Sequence, residues 1–330
     1  MSSITVPIKV EQHPHVRPLN VLRDLSAVAD LIELCFSSTM DNEGQRYLSD
    51  MRRASRDDGF LHWASRVTET TSLPLTGYVW EQDGRIIGNA SLIPFRDRGR
   101  RVYLIANVAV HPDYRRRGIA QVLTQRCMKH AQAKKTSAIW LHVRDDNLGA
   151  IKLYTNLGFQ EISRRTTWYA RTDLYPPTMD NDDIEIVPRH ARFWSLQQDW
   201  LRRLYPDTLS WYHSWNFTPL RPGLANWLYL LFIDYNIKQW AAIRGDALLA
   251  TLTWMPHGGR SESLYAATHP ASNGENGMHV EEALMQLLIY ARRALSTHTR
   301  LTLDFPAGEM SDAITAAGFK PRRTLIWMRA

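Results

Sequence analysis

The chain has 330 residues, 44% of them hydrophobic and 22% charged, with a formal net charge of +7. That length exceeds what one compact core usually fills, so two domains of roughly 150 residues are expected, and the composition excludes a disordered or fibrous chain. The basic excess lies in dispersed arginines with no accompanying nucleic-acid-binding module, which argues against a nucleic-acid partner.

From the amino terminus, Met1-Ser2-Ser3-Ile4 opens no basic-then-apolar leader, and a cytoplasmic location is expected. Leu19-Asn20-Val21 reads as an opening strand. Asp24 then suits the N-cap of a helix whose Leu25, Val28, Ala29, Ile32 and Phe36 share one face. A second helix is predicted over 40–55, and strands over 77–82 and 86–95 joined by the hairpin signal Asp83-Gly84. Cys35 and Cys127 sit in apolar helical patterns and are expected to be buried thiols, since two cysteines build no disulfide framework. Twelve histidines show no metal-ligand spacing, so no metal site is predicted.

Residues 107 to 120 carry the densest signal: Asn-Val-Ala-Val-His-Pro-Asp-Tyr-Arg-Arg-Arg-Gly-Ile-Ala. An apolar strand runs into a Pro-marked turn, three arginines and a glycine where a helix begins. A helix start leaves backbone N–H groups without intrahelical partners and adds the positive end of the macrodipole, so it favours an anion such as phosphate. The following helix keeps Ile119, Val122, Leu123, Cys127 and Ala131 on one face. A strand over Ile139 to Val143 and a second helix after Asn147 come next.

The second half repeats the first. Gly158-Phe159 recurs as Gly318-Phe319, His111-Pro112 as His269-Pro270, and Ile86 to Pro94 as Leu248 to Pro256, at offsets of 160, 158 and 162 residues. Between the halves, 173–183 reads as a linker, and Ile184-Glu185-Ile186-Val187 opens the second half as a strand. Trp194 to Trp240 is rich in aromatics, including Trp200, Tyr205, Trp211, Tyr212, Trp215, Trp227 and Tyr229; core packing is the favoured role, an acceptor-binding wall the competing one. The longest apolar run, Leu224 to Ile233, is broken by Asn226 and is shorter than the about 20 residues that cross a bilayer, so no membrane partner is expected.

Two blocks resemble one family. Arg115-Arg116-Arg117-Gly118-Ile119-Ala120, after the strand Val108-Ala109-Val110 with His111-Pro112, is similar to the Gln/Arg-x-x-Gly-x-Gly/Ala motif of the GNAT acetyltransferases; Asn147 to Phe159 is similar to their Asn-x-x-Ala-x-x-x-Tyr-x-x-x-Gly-Phe signature. The resemblance implies an α/β chain (α+β mixed sheet) of two GNAT (acyl-CoA N-acyltransferase) folds in tandem. It places a catalytic domain over 1–172 and a degenerate one over 184–330. It also implies acetyl-CoA as acyl donor, with its pantetheine arm beside Val108, Ala109 and Val110 and its pyrophosphate on Arg115 to Ala120. Asn147 joins the cofactor-binding residues, mainly as an architectural N-cap.

Tyr154 stands where the family has a tyrosine that protonates the departing thiolate; a core-packed tyrosine is the competing reading. The backbone N–H of Val108 is the expected oxyanion donor. Many family members carry a carboxylate where this chain has Ala106-Asn107, so either Asn107 positions a water relay or the base comes from another segment. His142 and His111 are expected to be structural, although His142 projects from its strand away from Leu141 and Val143. Each half shows one extended segment after its Gly-Phe pair (162–170 and 323–329) where the family has two strands, so a lent strand is expected, with Ile4 to Val10 as a candidate. Aligning Gly277 with Gly118 puts Gly274 in place of Arg115, Glu275 in the turn and His279 in place of Ala120, while Tyr154 becomes Ile314. The expected reaction is acetylation of a small-molecule primary amine by direct attack, in a monomer or homodimer. Acetylation of a protein or peptide amine, and a non-catalytic acyl-CoA sensor or scaffold, are the alternatives.

Overall fold

In the computed structural model, which describes residues 13–40, 42–57, 75–170, 183–213, 215–223, 237–255, 262–270, 275–295 and 301–330, the opening elements depart from the sequence reading. Strand β1 is Val16–Pro18, and Asn20 rather than Asp24 caps helix α1 (Val21–Phe36). The Asn20 side chain accepts from Leu22 N at 3.1 Å, while the Asp24 carboxylate reaches back to Asn20 N at 2.8 Å, as the second partner of a capping pair does. Asp24 is buried. Burial alone would raise its carboxyl, but hydrogen bonds from Arg17, Asn20 N and Arg23 outweigh it and hold the pKa below the ordinary value.

The first unit continues with α2 (Asn42–Ala54), β2 (Gly77–Gln82), β3 (Arg85–Asp97), β4 (Arg100–Val110), α3 (Ile119–Ala133), β5 (Ala138–Arg144) and α4 (Leu148–Asn156). Its strands run in the order β1-β2-β3-β4-β5, antiparallel except for the parallel pair β4–β5. The hairpin between β2 and β3 turns at Asp83 and Gly84, both at positive φ. Leu25, Val28 and Ile32 of α1 pack with Leu48 and Met51 of α2. Helix α3 buries Leu123, Cys127 and Ala131. Its close approach requires a glycine in β3, because a Cβ at Gly88 would lie 2.9 Å from Ile119 Cγ2. Burial raises the Cys127 thiol pKa; Cys35 is only half-buried, which corrects the expectation for that residue.

The second unit comprises β6 (Gln160–Ala170) from Ser163 on, β7 (Glu185–Pro188), α5 (Trp194–Leu204), α6 (Ser210–His213), β8 (Lys238–Arg244), β9 (Ala247–Met255), β10 (Glu262–Thr268), α7 (Glu275–Ala294), β11 (Leu301–Pro306), α8 (Ser311–Ala316) and β12 (Phe319–Arg329) as far as Ile326. Its strand order is β12-β6-β11-β10-β9-β8-β7. Leu284, Leu287 and Leu288 of α7 share its core with Leu252, Leu303, Phe305 and Phe319.

The repeated landmarks occupy repeated positions. The register slip between Trp80 and Glu81 in the β2–β3 pair recurs between Ala242 and Ile243 in β8–β9. His111 N donates to Ile87 O at 2.8 Å and His269 N to Leu249 O at 2.9 Å. Gly158 and Gly318 both take positive φ, and their N–H groups bond Thr155 O and Thr315 O.

Contacts group the described residues up to Ile162 with Trp327–Ala330, and Ser163 with the residues through Ile326. The first unit's border strand β5 therefore meets the end of the chain, where Ile139 and Ala330 exchange two backbone hydrogen bonds of 3.3 and 2.9 Å. In the second unit, Arg165 to Tyr169 of β6 pair antiparallel with Pro306 to Thr302 of β11. These strand ends supply the pairing that an open edge would lack. This grouping differs from the boundary drawn at 172. Ile4 to Val10, linker residues 173–182, and Leu224 to Ile233 with Trp227 and Tyr229 lie outside the described residues. Among the described residues no helix is long and apolar enough to cross a membrane.

Candidate active site

Strand β4 pairs in parallel with β5 only from Val102 opposite Ala138 to Ile105 opposite Leu141. At the point where this ladder stops, β4 gains a residue relative to β3. Ser91 faces Ala106 and Asn89 faces Ala109, leaving Asn107 and Val108 opposite the single residue Ala90. Such a bulge bends the strand and leaves the ladder locally unpaired. Asn107 takes φ 52°, a left-handed conformation that asparagine tolerates far better than the flanking valine would. Ala106 to Val110 and His142 to Arg144 are therefore not paired with each other, and this unpaired stretch beside the β4 backbone is termed the slot. Extended ligands pair with such a free edge without needing particular side chains.

Two side chains hold the bulge. Asn89 Nδ2 donates to Asn107 O at 2.9 Å, and Asn107 Nδ2 donates to the hydroxyl of Tyr47 on α2 at 2.7 Å. Burial raises the Tyr47 phenol pKa against the lowering effect of Asn107, so Tyr47 stays neutral. Asn107 and Val108 are half-buried, as is Val110, whereas Ala109 is buried.

Past the bulge, Val110 O accepts from Cys35 Sγ at 3.3 Å and from Arg115 Nε at 3.1 Å. His111 Nδ1 accepts from Asp113 N at 3.4 Å and its ring meets Tyr114 edge-on, so its role is to shape the turn. Arg116 has φ 64°, and Gly118 takes φ 79° as the residue before α3. A Cβ on Gly118 would meet nothing within 4 Å, so conformation rather than space calls for glycine there. Arg115, Arg116 and Arg117 are exposed; Arg117 stacks 5.0 Å over the Tyr114 ring and donates to Asp113 O at 3.1 Å. Ile119 directs its side chain into the core, so its backbone is what it can offer a ligand, while Ala120 is half-buried. The open N–H groups of the first turn of α3 and the arginines together favour an anion at this turn.

Tyr154 lies on α4, 7% exposed, with its ring edge-on to Phe159 at 6.1 Å. Burial raises its phenol pKa well above the ordinary value, so it stays protonated through neutral and mildly alkaline pH. Asn147 caps α4 by accepting from Ala150 N at 3.1 Å, and Asp146 is paired with Arg144 at 2.8 Å. His142 packs its ring 4.9 Å from that of Trp327.

Tyr47 and Asn89 escaped the sequence reading, because nothing local distinguishes them from other residues of their helix and strand, and Cys35 was legible only as a thiol on a helix, not as a partner of Val110 O. In the second half, Gly277 is a correction: it is buried in the first turn of α7 rather than standing before the helix, and Gly274 lies outside the described residues. Ile314, the counterpart of Tyr154, is completely buried.

Residues 30–159 match the model of the acetyltransferase (GNAT) family. Over 67 residues the chain is 39% identical to the [Ribosomal protein bS18]-alanine N-acetyltransferase of Escherichia coli (strain K12), covering 20% of this chain and 45% of the relative. Over 77 residues it is 39% identical to "GCN5-related N-acetyltransferase 4, chloroplastic" of Arabidopsis thaliana, covering 23% of this chain and 26% of that one. The chain thus spans about half the length of the bacterial relatives it matches. A GCN5-related N-acetyltransferase from Sphaerobacter thermophilus is similar in fold, with a TM-score of 0.53 at 14% identity over 98% of this chain and 96% of that one. The bulged β4, the parted β4–β5 ladder and the glycine-started α3 all lie inside the matched region, and this chain carries a domain of the GNAT acetyltransferase family over residues 30–159.

Proposed function

We propose that the first unit is an acetyl-CoA-dependent N-acetyltransferase acting on a primary amine. One observation carries this reading: the parted β4–β5 ladder at Asn107 leads within a dozen residues into the glycine-started helix at Gly118, which joins an unpaired strand edge to an anion site. The residues fit the donor. The edge from Asn107 to Val110 suits the amide-bearing pantetheine arm, and Arg115, Arg116, Arg117, Gly118, Ile119 and Ala120 suit the pyrophosphate, the last three through backbone N–H groups. Asn147 acts behind them by capping α4.

Bound acetyl-CoA supplies a thioester whose carbonyl carbon the amine attacks, forming C–N and releasing the CoA thiolate as C–S breaks. Val108 N–H stabilises the charge that develops on the carbonyl oxygen. Tyr154, held protonated by burial, gives its proton to the leaving sulfur. An amine with a pKa of about 10 must lose a proton before attack. Asn107, fixed by Tyr47, orders the water that passes it on to solvent, since this strand offers no carboxylate at that position, and Tyr154 regains a proton from solvent before the next turnover.

The acceptor is a small-molecule amine in the first reading. A protein or peptide amine is the second, favoured by the bacterial relatives, which are named as ribosomal-protein alanine N-acetyltransferases. Release of free thiol from acetyl-CoA, measured across a panel of small amines and alanine-ended peptides with Tyr154→Phe as control, separates the two. Tight acetyl-CoA binding without turnover on any acceptor would instead leave a non-catalytic acyl-CoA sensor.

A further inference from the structure

The second unit contains a counterpart of the slot, and the chain's own side chains fill it. Strands β10 and β11 pair in parallel from Glu262 opposite Leu301 to Leu264 opposite Leu303 and then separate, as β4 and β5 do. Strand β10 has no bulge against β9. Because the His269 N to Leu249 O bond matches that of His111 N to Ile87 O, Ala266, three residues before His269, stands where Val108 stands. Ala266 N–H donates at 3.1 Å to the hydroxyl of Tyr205, just beyond the end of α5.

Tyr205 is 3% exposed, and groups from β10, β6 and residues 215–217 surround it. Tyr265 of β10 lies 5.7 Å away ring to ring, Trp215 and Phe217 lie 5.2 and 5.4 Å away, and the Arg165 guanidinium sits 5.2 Å over its face. Arg165 is anchored in turn on the Asp304 carboxylate of β11 and on Leu204 O at 2.7 Å. Removing Tyr205 from this place would leave Ala266 N–H buried without its partner, which is unfavourable.

We propose that Tyr205 is the built-in occupant of the second slot. Its phenol oxygen takes the backbone donor equivalent to the one that Val108 offers a thioester oxygen, so the chain takes up one acyl-CoA, at the first unit alone. The single uptake rests on the reading of the first unit given above; the occupancy of the second slot does not. Native mass spectrometry of the full chain titrated with acetyl-CoA tests the first statement: one equivalent is expected for the wild type and none for Gly118→Glu. Two equivalents, or one retained in Gly118→Glu, would overturn the proposal. Hydrogen exchange at the Ala266 amide, followed by NMR without any cofactor, tests the second: it should speed up at least tenfold in Tyr205→Phe. An unchanged rate would also overturn the proposal, whereas a wild type that binds nothing while Ala266 exchange responds to Tyr205→Phe would bring down the reading of the first unit and leave the plug standing.

Discussion

In the first unit β4 carries an extra residue at Asn107, and its freed edge runs on to a glycine-started helix; in the second, β10 is regular and its freed edge is bonded to Tyr205. The backbone landmarks on either side agree, down to the hairpin slips at Trp80 and Ala242 and the paired bonds of His111 and His269. Strand topology therefore persists where the geometry of the freed edge does not. What distinguishes the freed β4 edge from the filled β10 edge is one inserted residue and one aromatic side chain.

The largest expected effect on this contrast comes from Gly118→Glu, which places a carboxylate at the anion turn and a side chain at φ 79°. Acetyl-CoA affinity measured by calorimetry should fall more than about 100-fold, because like charge and lost N–H access act together; far-UV circular dichroism should stay that of the wild type. Next, Tyr154→Phe makes the first unit resemble the second, whose counterpart is Ile314. Turnover should drop by about 100-fold with the KM for acetyl-CoA within about twofold. Since burial raises the Tyr154 pKa, its donating form persists, and no loss of wild-type rate between pH 7 and 9 should trace to this group. A descending limb in that range that disappears in Tyr154→Phe would show instead that burial does not hold this phenol protonated there, while turnover unchanged in Tyr154→Phe would remove the assignment.

In the second unit, Tyr205→Phe should lower the unfolding free energy by about 1–3 kcal/mol, the cost of a buried N–H left without its acceptor, and leave kcat unchanged. Chemical denaturation read by tryptophan fluorescence would show it. Smallest is Tyr47→Phe, which frees the Asn107 side chain while the Asn89 bond still holds the bulge. A fall in kcat of about tenfold or less is expected. A fall as large as that of Tyr154→Phe would mean that the bulge itself had collapsed, and with it the contrast with β10.

Much of the first slot was legible in the sequence because its determinants are local. Asp83-Gly84 fixes a hairpin, and a glycine before an apolar helical pattern fixes a helix start. The N-cap assignment went to Asp24 because aspartate and asparagine are both good caps; Arg17, seven residues away, holds Asp24 and no local pattern announces it. Gly277 misled because glycine is also tolerated inside a helix, at a modest cost. Tyr47 and Asn107 are 60 residues apart, and Tyr205 and Ala266 are 61, so neither pairing leaves any periodicity to read. Both late strands were visible as extended segments. Which neighbours they choose is a tertiary decision that the alternation of residues does not encode.

The two backbone bonds between Ile139 and Ala330 set an order of events during synthesis. The β5 border of the acetyltransferase-family unit stays unmatched until residues 327–330 have cleared the ribosome, long after the rest of that unit has emerged. For that interval the nascent chain carries an exposed strand flank, so chaperone demand should be greatest while the second unit is being translated.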